Sequence, residues 1–317
     1  HLNPIASDSG RHHAIDLFLA SLAEDQGENS VAVILSGFGN DGSLGVQRIK
    51  EAGGMVLVQE PQTAINCSMP EHAINTGAVD LILPAEEMAG HIQDMASGWA
   101  GDRANARIAL DGPHNEELHL LFTLLKAKTG HDFSAYKRNT VLRRIDRRMM
   151  VKEVQRFRKY LTILEEDPKE AEALYQELLI GVTGFFRDTE AFQLLRSEVI
   201  PRLFVHRGED EPVRIWHACC ATGEEAYSMA MLVQDYLEEQ QLQTRVQIFA
   251  TDLDEAAINH ARAGLYAPTI ENEVAQPWLR KYFTRHNGNY QVDKALREMI
   301  VFAHHNLIKD PPFSRLD

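Results

Sequence analysis

The chain has 317 residues, of which 44% are hydrophobic and 25% charged, so it is long enough for two or three compact domains and has a globular composition. Its 32 Lys and Arg against 46 Asp and Glu give a formal net charge of −14, which argues against a general nucleic-acid-binding role, because phosphate contacts need a cationic surface. No apolar run approaches the roughly 20 residues of a membrane-spanning helix, so we expect no membrane insertion.

Cysteine usage bears on the cellular compartment. Cys219 and Cys220 are adjacent and Cys67 is alone. This pattern matches neither a disulfide framework nor the ligand spacing of a zinc site. We therefore predict a reducing compartment, the cytoplasm, and no metal site.

The first part of the chain, residues 11–84, alternates helix and strand patterns. Apolar runs predict strands at 31–35, 55–59 and 79–83, and a glycine-rich turn at 37–42 precedes a predicted helix at 44–52. A second short helix opens at Met69-Pro70. This alternation predicts part of an α/β sheet.

The remainder of the chain divides into three stretches. Residues 94–113 are small and polar without a sustained period, which predicts a linker, and residues 114–179 read as entirely helical. From residue 213 onward the alternation of strands and helices resumes. Near the end, apolar residues flank His286-Asn287-Gly288-Asn289, which predicts a β-hairpin.

A candidate cofactor site follows the strand at 213–218. The segment continues through a turn of small residues into a helix that starts with Glu224 and Glu225, where a phosphate would need bare backbone amides. A cofactor with a cationic sulfonium would instead favour a carboxylate, which indicates S-adenosylmethionine. Asp252 ends the next strand, where a carboxylate can accept both ribose hydroxyls. The alternative is that Asp252 and Glu224 only favour the starts of their helices.

Several sequence strings in the same order are similar to the chemotaxis receptor methyltransferases, the CheR type, over about residues 114–317. They are VTGFFRD at 182–188, ATGEEAYS, ATDLD, ARAGLY and HHNLIKDPPF. The resemblance implies an all-helical domain at 114–180 and a Rossmann-like class I methyltransferase domain at 181–317 with a small β-hairpin subdomain. It also implies S-adenosylmethionine as cofactor and the following cofactor-binding residues: Thr183, Arg187, Glu224, Asp252, Asn306 and Leu307. Gly181 departs from the family, whose members usually have Asn there.

The same resemblance implies methyl transfer to glutamate side chains of receptors. A receptor glutamate is ionised at neutral pH and needs no strong general base to attack the methyl group. Arg187 is the catalytic candidate that would hold this carboxylate, since a guanidinium matches carboxylate geometry. The alternative is a surface ion pair of Arg187 with Asp188 or Glu190.

A basic stretch lies between Lys137 and Lys159, with ten Lys or Arg against Asp146 and Glu153, a local charge of 10 − 2 = +8. Leu142, Ile145 and Met149 form the predicted inward stripe. An outward row is predicted for three cations spaced at i, i+4, namely Arg144, Arg148 and Lys152. In the CheR family such a helix faces the acidic methylation helices of receptors, so these three residues are the predicted substrate-binding set. A solvated face and an RNA-binding patch are the alternatives.

The strings SGFGNDGS, GGMVLVQEP, SMPEHAI and GAVDLILP, within residues 31–84, resemble the chemotaxis receptor methylesterases, the CheB type. The resemblance assigns residues 1–93 to the C-terminal part of that α/β domain and makes Asp41 the third member of a Ser-His-Asp triad. The alternative is that Asn40-Asp41-Gly42 is only a turn. No strand-Ser-Gly-Gly turn surrounds Ser7, Ser9, His12 or His13, and Phe38 stands where relatives often have Met. We therefore expect no esterase activity from this chain.

Both resemblances together indicate a methylesterase-methyltransferase fusion that is cut at both ends, with a further strand and a CRN-type motif expected after Asp317. Two other hypotheses remain open at this point. The chain could be a regulatory module that senses the cofactor or docks a partner, or a methyltransferase that acts on another substrate. The sequence leaves the oligomeric state open.

Overall fold

The computed structural model describes residues 13–100, 115–179, 181, 183–205, 211–286 and 288–317. The chain divides into two compact units, His1–Leu178 and Leu179–Asp317, which are described separately. We refer to them as unit 1 and unit 2.

Unit 1 begins with alternating helices and strands. Its elements are α1 (Ala14–Gln26), β1 (Val31–Ile34), α2 (Ser43–Glu51), β2 (Met55–Gln59), α3 (Ser68–Asn75), β3 (Leu81–Leu83) and α4 (Ala85–Ala100). The three strands form a parallel sheet in the order β1-β2-β3. Every residue of β2 is buried, as expected for the central strand of a parallel sheet that is covered on both faces.

Within residues 115–178, unit 1 continues with the helices α5 (Asn115–Thr129), α6 (Arg138–Val151), α7 (Phe157–Glu166) and α8 (Pro168–Leu178). Their apolar stripes meet in a core that contains fully buried Leu125, Ile145, Leu164 and Leu174. The spacing of these apolar positions at helical periodicity explains why the segment forms helices that pack on one another.

The described residues of unit 2 form two small sheets and the helices around them. Its helices are α9 (Thr189–Leu194), α10 (Ile200–Leu203), α11 (Glu224–Glu239), α12 (Glu255–Ala263), α13 (Gln276–Tyr282) and α14 (Lys294–Met299). Its strands are β4 (Val213–Ala218), β5 (Val246–Asp252), β6 (Leu265–Tyr266), β7 (Phe283–His286), β8 (Asn289–Val292) and β9 (Ile300–His304).

The first sheet of unit 2 is parallel, with the order β4-β5-β9, and the second is antiparallel, with the order β6-β8-β7. The strand β5 is therefore central in the parallel sheet. A continuous core of apolar side chains joins both sheets to α11 and includes Ile248, Tyr227 and Phe302. The parallel sheet aligns the C-terminal ends of three strands at one edge, which is where ligands bind in open α/β folds.

The predicted α/β class is confirmed, and β2 and β4 have their predicted limits. The predicted hairpin forms between β7 and β8. The helix α4 runs to Ala100, so the start of the stretch predicted as a linker is helical, and residues 101–114 lie outside the described residues. No helix among the described residues is both long and apolar enough to cross a membrane.

Candidate functional site

The candidate site is built at the C-terminal edge of the parallel sheet in unit 2. The turn after β4 is tied to the end of β5, because the Ala221 amide donates to Asp252 Oδ2 at 2.8 Å and the Cys220 amide donates to the Thr251 carbonyl at 2.9 Å. The chain after β9 joins the same edge, where the His305 amide donates to the Asp252 carbonyl at 2.9 Å. Asp252 thus connects all three strand ends.

The turn between β4 and α11 has an unusual backbone. Cys219, Ala221 and Gly223 all have positive φ, at 58°, 44° and 96°. A Cβ at Gly223 would lie 2.7 Å from the Cβ of Ala261, so only glycine fits this position. Left-handed conformations at non-glycine residues are costly, and they persist mainly at ligand sites and other constrained positions. The turn therefore presents a fixed backbone at the sheet edge.

Glu224 is the first residue of α11, directly after this turn. Its carboxylate accepts a hydrogen bond from Thr222 Oγ1 at 2.6 Å. Part of its surface remains accessible, yet burial raises the pKa of Glu224 to about 7, although the Thr222 hydroxyl opposes this shift. A carboxylate held in this way gains stability from a cationic ligand placed beside it.

Asp252 and Asp254 have different roles at the start of α12. Asp252 accepts amides from both sides, since Oδ2 binds the Ala221 amide and Oδ1 binds the Asp254 amide at 2.9 Å. The helix is capped by Asp254, whose Oδ1 accepts from Ala256 and Ala257 at 2.8 and 3.2 Å. The capping alternative for Asp252 is therefore wrong. Each of its carboxylate oxygens retains acceptor capacity for a ligand hydroxyl.

Asn306 and Leu307 lie in the turn that follows β9. Asn306 Oδ1 accepts the amides of Ile308 and Lys309 at 3.0 and 3.2 Å, and the Asn306 amide donates to Asp310 Oδ2 at 2.7 Å. These bonds fix the turn, and the Leu307 side chain remains 49% exposed beside it. An exposed leucine on a rigid turn at this edge could pack against a flat apolar ring.

Thr183 precedes a segment that is anchored to the rest of unit 2. The Phe186 amide donates to Ser228 Oγ at 3.1 Å, and the buried Phe185 ring packs edge-on against Tyr266 with centroids 5.0 Å apart. Thr183 Oγ1 is buried and has no hydrogen-bond partner among the described residues. A buried hydroxyl without a partner is costly, so this atom indicates a polar ligand.

Arg187 follows the anchored phenylalanines and lies near the start of α11. Its charge contributes to lowering the pKa of Glu225, although the main cause is the His217 side chain, whose Nε2 lies 3.5 Å from that carboxylate. Asp188 caps α9 by accepting from the Ala191 amide at 3.3 Å. Glu225 and His217 were not predicted as site residues from the sequence. A signal was available, since His217 lies one residue before the end of β4 and Glu225 is the second residue of α11.

Asp41 in unit 1 holds the start of α1. Its two carboxylate oxygens accept the amides of Ile15 and Asp16 at 3.1 and 3.0 Å. The side-chain atoms of His13, Asp16 and Asp41 that could bind a metal ion lie within 4.8 Å of one another. Ser7, Ser9 and His12 lie outside the described residues. The triad role of Asp41 thus remains a prediction, and its observed contacts are those of a helix-stabilising residue.

Replacing Asp41 by Ala should lower the free energy of unfolding of unit 1 by about 1–2 kcal/mol, because two amides at the start of α1 lose their acceptor. Denaturant unfolding followed by circular dichroism would measure this change. The matched control is Asp25→Ala at the exposed end of the same helix, which should change stability by less than ~0.5 kcal/mol. Equal effects of the two replacements would contradict the assigned role.

The basic helix α6 differs from its predicted orientation. Arg144 was expected on an outward row, but it is 7% exposed and lies 3.5 Å from Glu177. This expectation is wrong, because the buried face of α6 is wider than its apolar residues alone indicate. The arginines on this face are paired with carboxylates. Arg148 and Lys152 are partly exposed, and both contact Glu170 of α8, at 2.7 and 3.2 Å. The substrate-binding role of these three cations remains a prediction.

Three family models match consecutive parts of the chain. They are CheB methylesterase at residues 2–92, the all-alpha domain of CheR methyltransferase at 116–179 and the SAM-binding domain of CheR methyltransferase at 181–317. These matches confirm the predicted fold class, with a helical domain that precedes a methyltransferase domain.

Two relatives and one solved structure are similar to parts of the chain. The chain is 38% identical over 323 residues to an uncharacterized 104.1 kDa protein of Rhodobacter capsulatus, covering 96% of this chain and 34% of that protein. It is 31% identical over 201 residues to a chemotaxis protein methyltransferase of Listeria innocua, covering 62% of this chain and 74% of that protein. The crystal structure of the Thermotoga maritima CheB methylesterase catalytic domain matches 23% of this chain and 39% of that chain at 36% identity, with a TM-score of 0.23.

The chain thus spans about a third of the Rhodobacter relative and about three quarters of the Listeria methyltransferase. The match to the SAM-binding domain also fits the site, since Glu224 at the start of α11 and Asp252 at the end of β5 both lie within the matched residues. The chain belongs to the CheR family of chemotaxis protein methyltransferases and carries, ahead of its CheR domains, a segment of the CheB methylesterase family.

Proposed function

We propose that this chain is a protein-glutamate O-methyltransferase, which transfers a methyl group from S-adenosylmethionine to glutamate side chains of chemotaxis receptors. The observation that carries the proposal is the edge of the parallel sheet, where Glu224, Asp252 and the turn at Asn306 come together. The match to the SAM-binding domain of CheR methyltransferase supports the choice of cofactor.

The residues at this edge fit S-adenosylmethionine. Glu224 would face the cationic part of the cofactor, and Asp252 would accept the ribose hydroxyls with its remaining lone pairs. Leu307 would pack against the adenine ring beside the Asn306 turn. The buried hydroxyl of Thr183 would gain the hydrogen bond that it lacks within the described residues.

When bound, S-adenosylmethionine supplies an electrophilic methyl group on a positively charged sulfur. A receptor glutamate is ionised at neutral pH, so its carboxylate would be the methyl acceptor and this chain would not have to remove a proton from it. This chain therefore contributes mainly by positioning. Arg187 would hold the receptor carboxylate, and Glu225, close to Arg187 and His217, would fix the direction of the guanidinium.

The receptor contacts are also part of the proposal. The predicted substrate-binding cations Arg148 and Lys152 keep part of their surface accessible, at 16% and 33% of the side chain. Exposed Lys137, Arg156 and Lys159 extend the positive surface near α6 and α7, which would steer the approach of an acidic receptor helix. We propose no nucleic-acid partner, no membrane insertion and no ester hydrolysis by this chain, and the cytoplasmic location remains a prediction.

Transfer of labelled methyl groups tests the proposed function. Purified chain and labelled S-adenosylmethionine are incubated with receptor-containing membranes or with total tRNA and rRNA, and base-labile protein label is counted. We expect label in receptor protein only. Label in RNA would support a methyltransferase with another substrate, and cofactor binding without any transfer would support a regulatory module, so either result would overturn the proposal.

A further inference from the structure

Five charged side chains lie buried together in unit 1. Two of them, Lys50 and Asp80, belong to the segment that matches CheB methylesterase, and three belong to helices of the CheR-type domain, namely Arg144, Arg147 and Glu177. Each side chain is less than 10% exposed. We call this group the charge cluster.

The contacts of the charge cluster cross from one family segment to the other. Lys50 Nζ lies 2.9 Å from Asp80 Oδ1 and 3.0 Å from Glu177 Oε2. Arg147 binds both oxygens of Asp80, with Nε 2.8 Å from Oδ1, and its Nε lies 3.4 Å from Glu177. The Arg144 guanidinium reaches Glu177 Oε1 and the Lys50 carbonyl, each at 3.5 Å.

The charge cluster can remain buried only while its partners stay together. Burial alone would raise the pKa of Asp80, but the charges of Arg147 and Lys50 outweigh this effect and lower it. Loss of one charged partner while the two segments stay packed would leave the others unpaired in a low-dielectric environment, which is far more costly than loss of a surface ion pair.

An apolar contact lies beside the charge cluster. Buried Met55, Leu57 and Met88 of the methylesterase-type segment pack with partly buried Met150 and Val151 at the end of α6. The same helix therefore meets this segment with both charged and apolar side chains. An interface of this composition excludes water from its ion pairs, which strengthens them.

We propose that the basic helix α6 is a docking surface for the chain's own methylesterase-type segment. The two segments then open and close as one cooperative unit, and Arg144 and Arg147 are withdrawn from any receptor helix. The segment is thereby a structural partner of the methyltransferase, whether or not it hydrolyses esters. This proposal does not depend on the substrate of the methyltransferase.

Hydrogen exchange measured by mass spectrometry on the whole chain tests this coupling. In the unmodified chain under graded denaturant, amides of β2 and of α6 should exchange through one opening with the same denaturant dependence. Glu177→Gln in α8 should accelerate exchange in α2 and β2, across the interface, by at least about tenfold. Asp80→Asn should do the same for α6 and α8, while its remaining side-chain oxygen can still accept the Val56 amide.

The matched control is Glu172→Gln, an exposed residue of the same helix α8 that contacts only Gln176 in the hydrogen bonds described. It should leave exchange across the interface within about twofold of the unmodified chain. The proposal would be overturned if hydrogen exchange were accelerated only on the mutated side of the interface. It would also be overturned if β2 and α6 opened separately in the unmodified chain. The comparison of β2 and α6 in the unmodified chain decides the question even if Glu177→Gln does not fold.

Discussion

Replacing Glu224 by Gln should weaken binding of S-adenosylmethionine about 10- to 100-fold at pH 8, because a carboxylate beside a cationic ligand contributes roughly 1.5–3 kcal/mol. The replacement keeps the size of the side chain and its ability to accept from Thr222 Oγ1. Isothermal titration calorimetry measures the affinity. Glu255→Gln, in the exposed first turn of α12, is the matched control and should bind as tightly as the unmodified chain.

The affinity of the unmodified chain should also depend on pH. The pKa of Glu224 is raised to about 7 in the folded chain, so protonated and ionised forms of Glu224 are both populated near neutral pH. A cationic cofactor lowers this pKa, and binding releases a proton. Affinity therefore rises as pH increases through 7 and falls below it, whereas Glu224→Gln should be nearly flat. A pH profile shared by both proteins would remove Glu224 from the site.

The raised pKa of Glu224 also affects the stability of the empty chain, which changes with pH in the direction opposite to the cofactor affinity. Between the unfolded value near 4.5 and the folded value near 7, the folded chain binds more protons than the unfolded chain. The stabilising contribution of Glu224 to the free energy of unfolding is therefore full below pH 4.5 and is lost as pH rises through 7. Cofactor binding and stability of the empty chain thus respond to Glu224 in opposite directions, as expected of a group retained for a ligand.

The sequence predicts the elements that position the cofactor site well. β4 and the start of α11 are separated by a turn of small residues, and β5 ends in an acidic residue, so both signals are local. The edge strand β9 was not predicted, because it follows α14 without any intervening turn residue. Its place is determined by pairing with β5, at Asp252 and His304 for example, which is a contact distant in sequence.

The orientation of α6 could not be predicted for a related reason. Its apolar residues indicate one buried face, and helical periodicity places Arg144 outside that face. Burial of Arg144 depends on Glu177 of α8 and on the Lys50 carbonyl of α2, and these partners are remote in the sequence. Helical periodicity identifies the apolar face of a helix, but it does not reveal which charged side chains have buried partners.

Replacing Arg187 by Ala should lower kcat/KM for methyl transfer at least about 100-fold, since the group that places the receptor carboxylate is lost. The fold should remain intact, because the preceding Phe185 and the cap at Asp188 anchor the segment independently of this side chain. Transfer of labelled methyl groups to receptor membranes measures the rate, and circular dichroism checks the fold. Arg196→Ala removes an exposed arginine that pairs with Glu239 at 2.7 Å and should leave transfer unchanged.

Substitutions at Arg187 and at its neighbour Glu225 distinguish a positioning role of the guanidinium from an effect of its positive charge alone. Arg187→Lys keeps the charge but loses the fork that binds both oxygens of a carboxylate, so it should recover only part of the rate. Glu225→Gln should reduce kcat more than it changes cofactor affinity, because Glu225 lies close to Arg187 and pairs with His217. Near-normal turnover of Arg187→Ala would remove this assignment. Full recovery by Lys would show that a positive charge near the start of α11 suffices, without the geometry of a guanidinium.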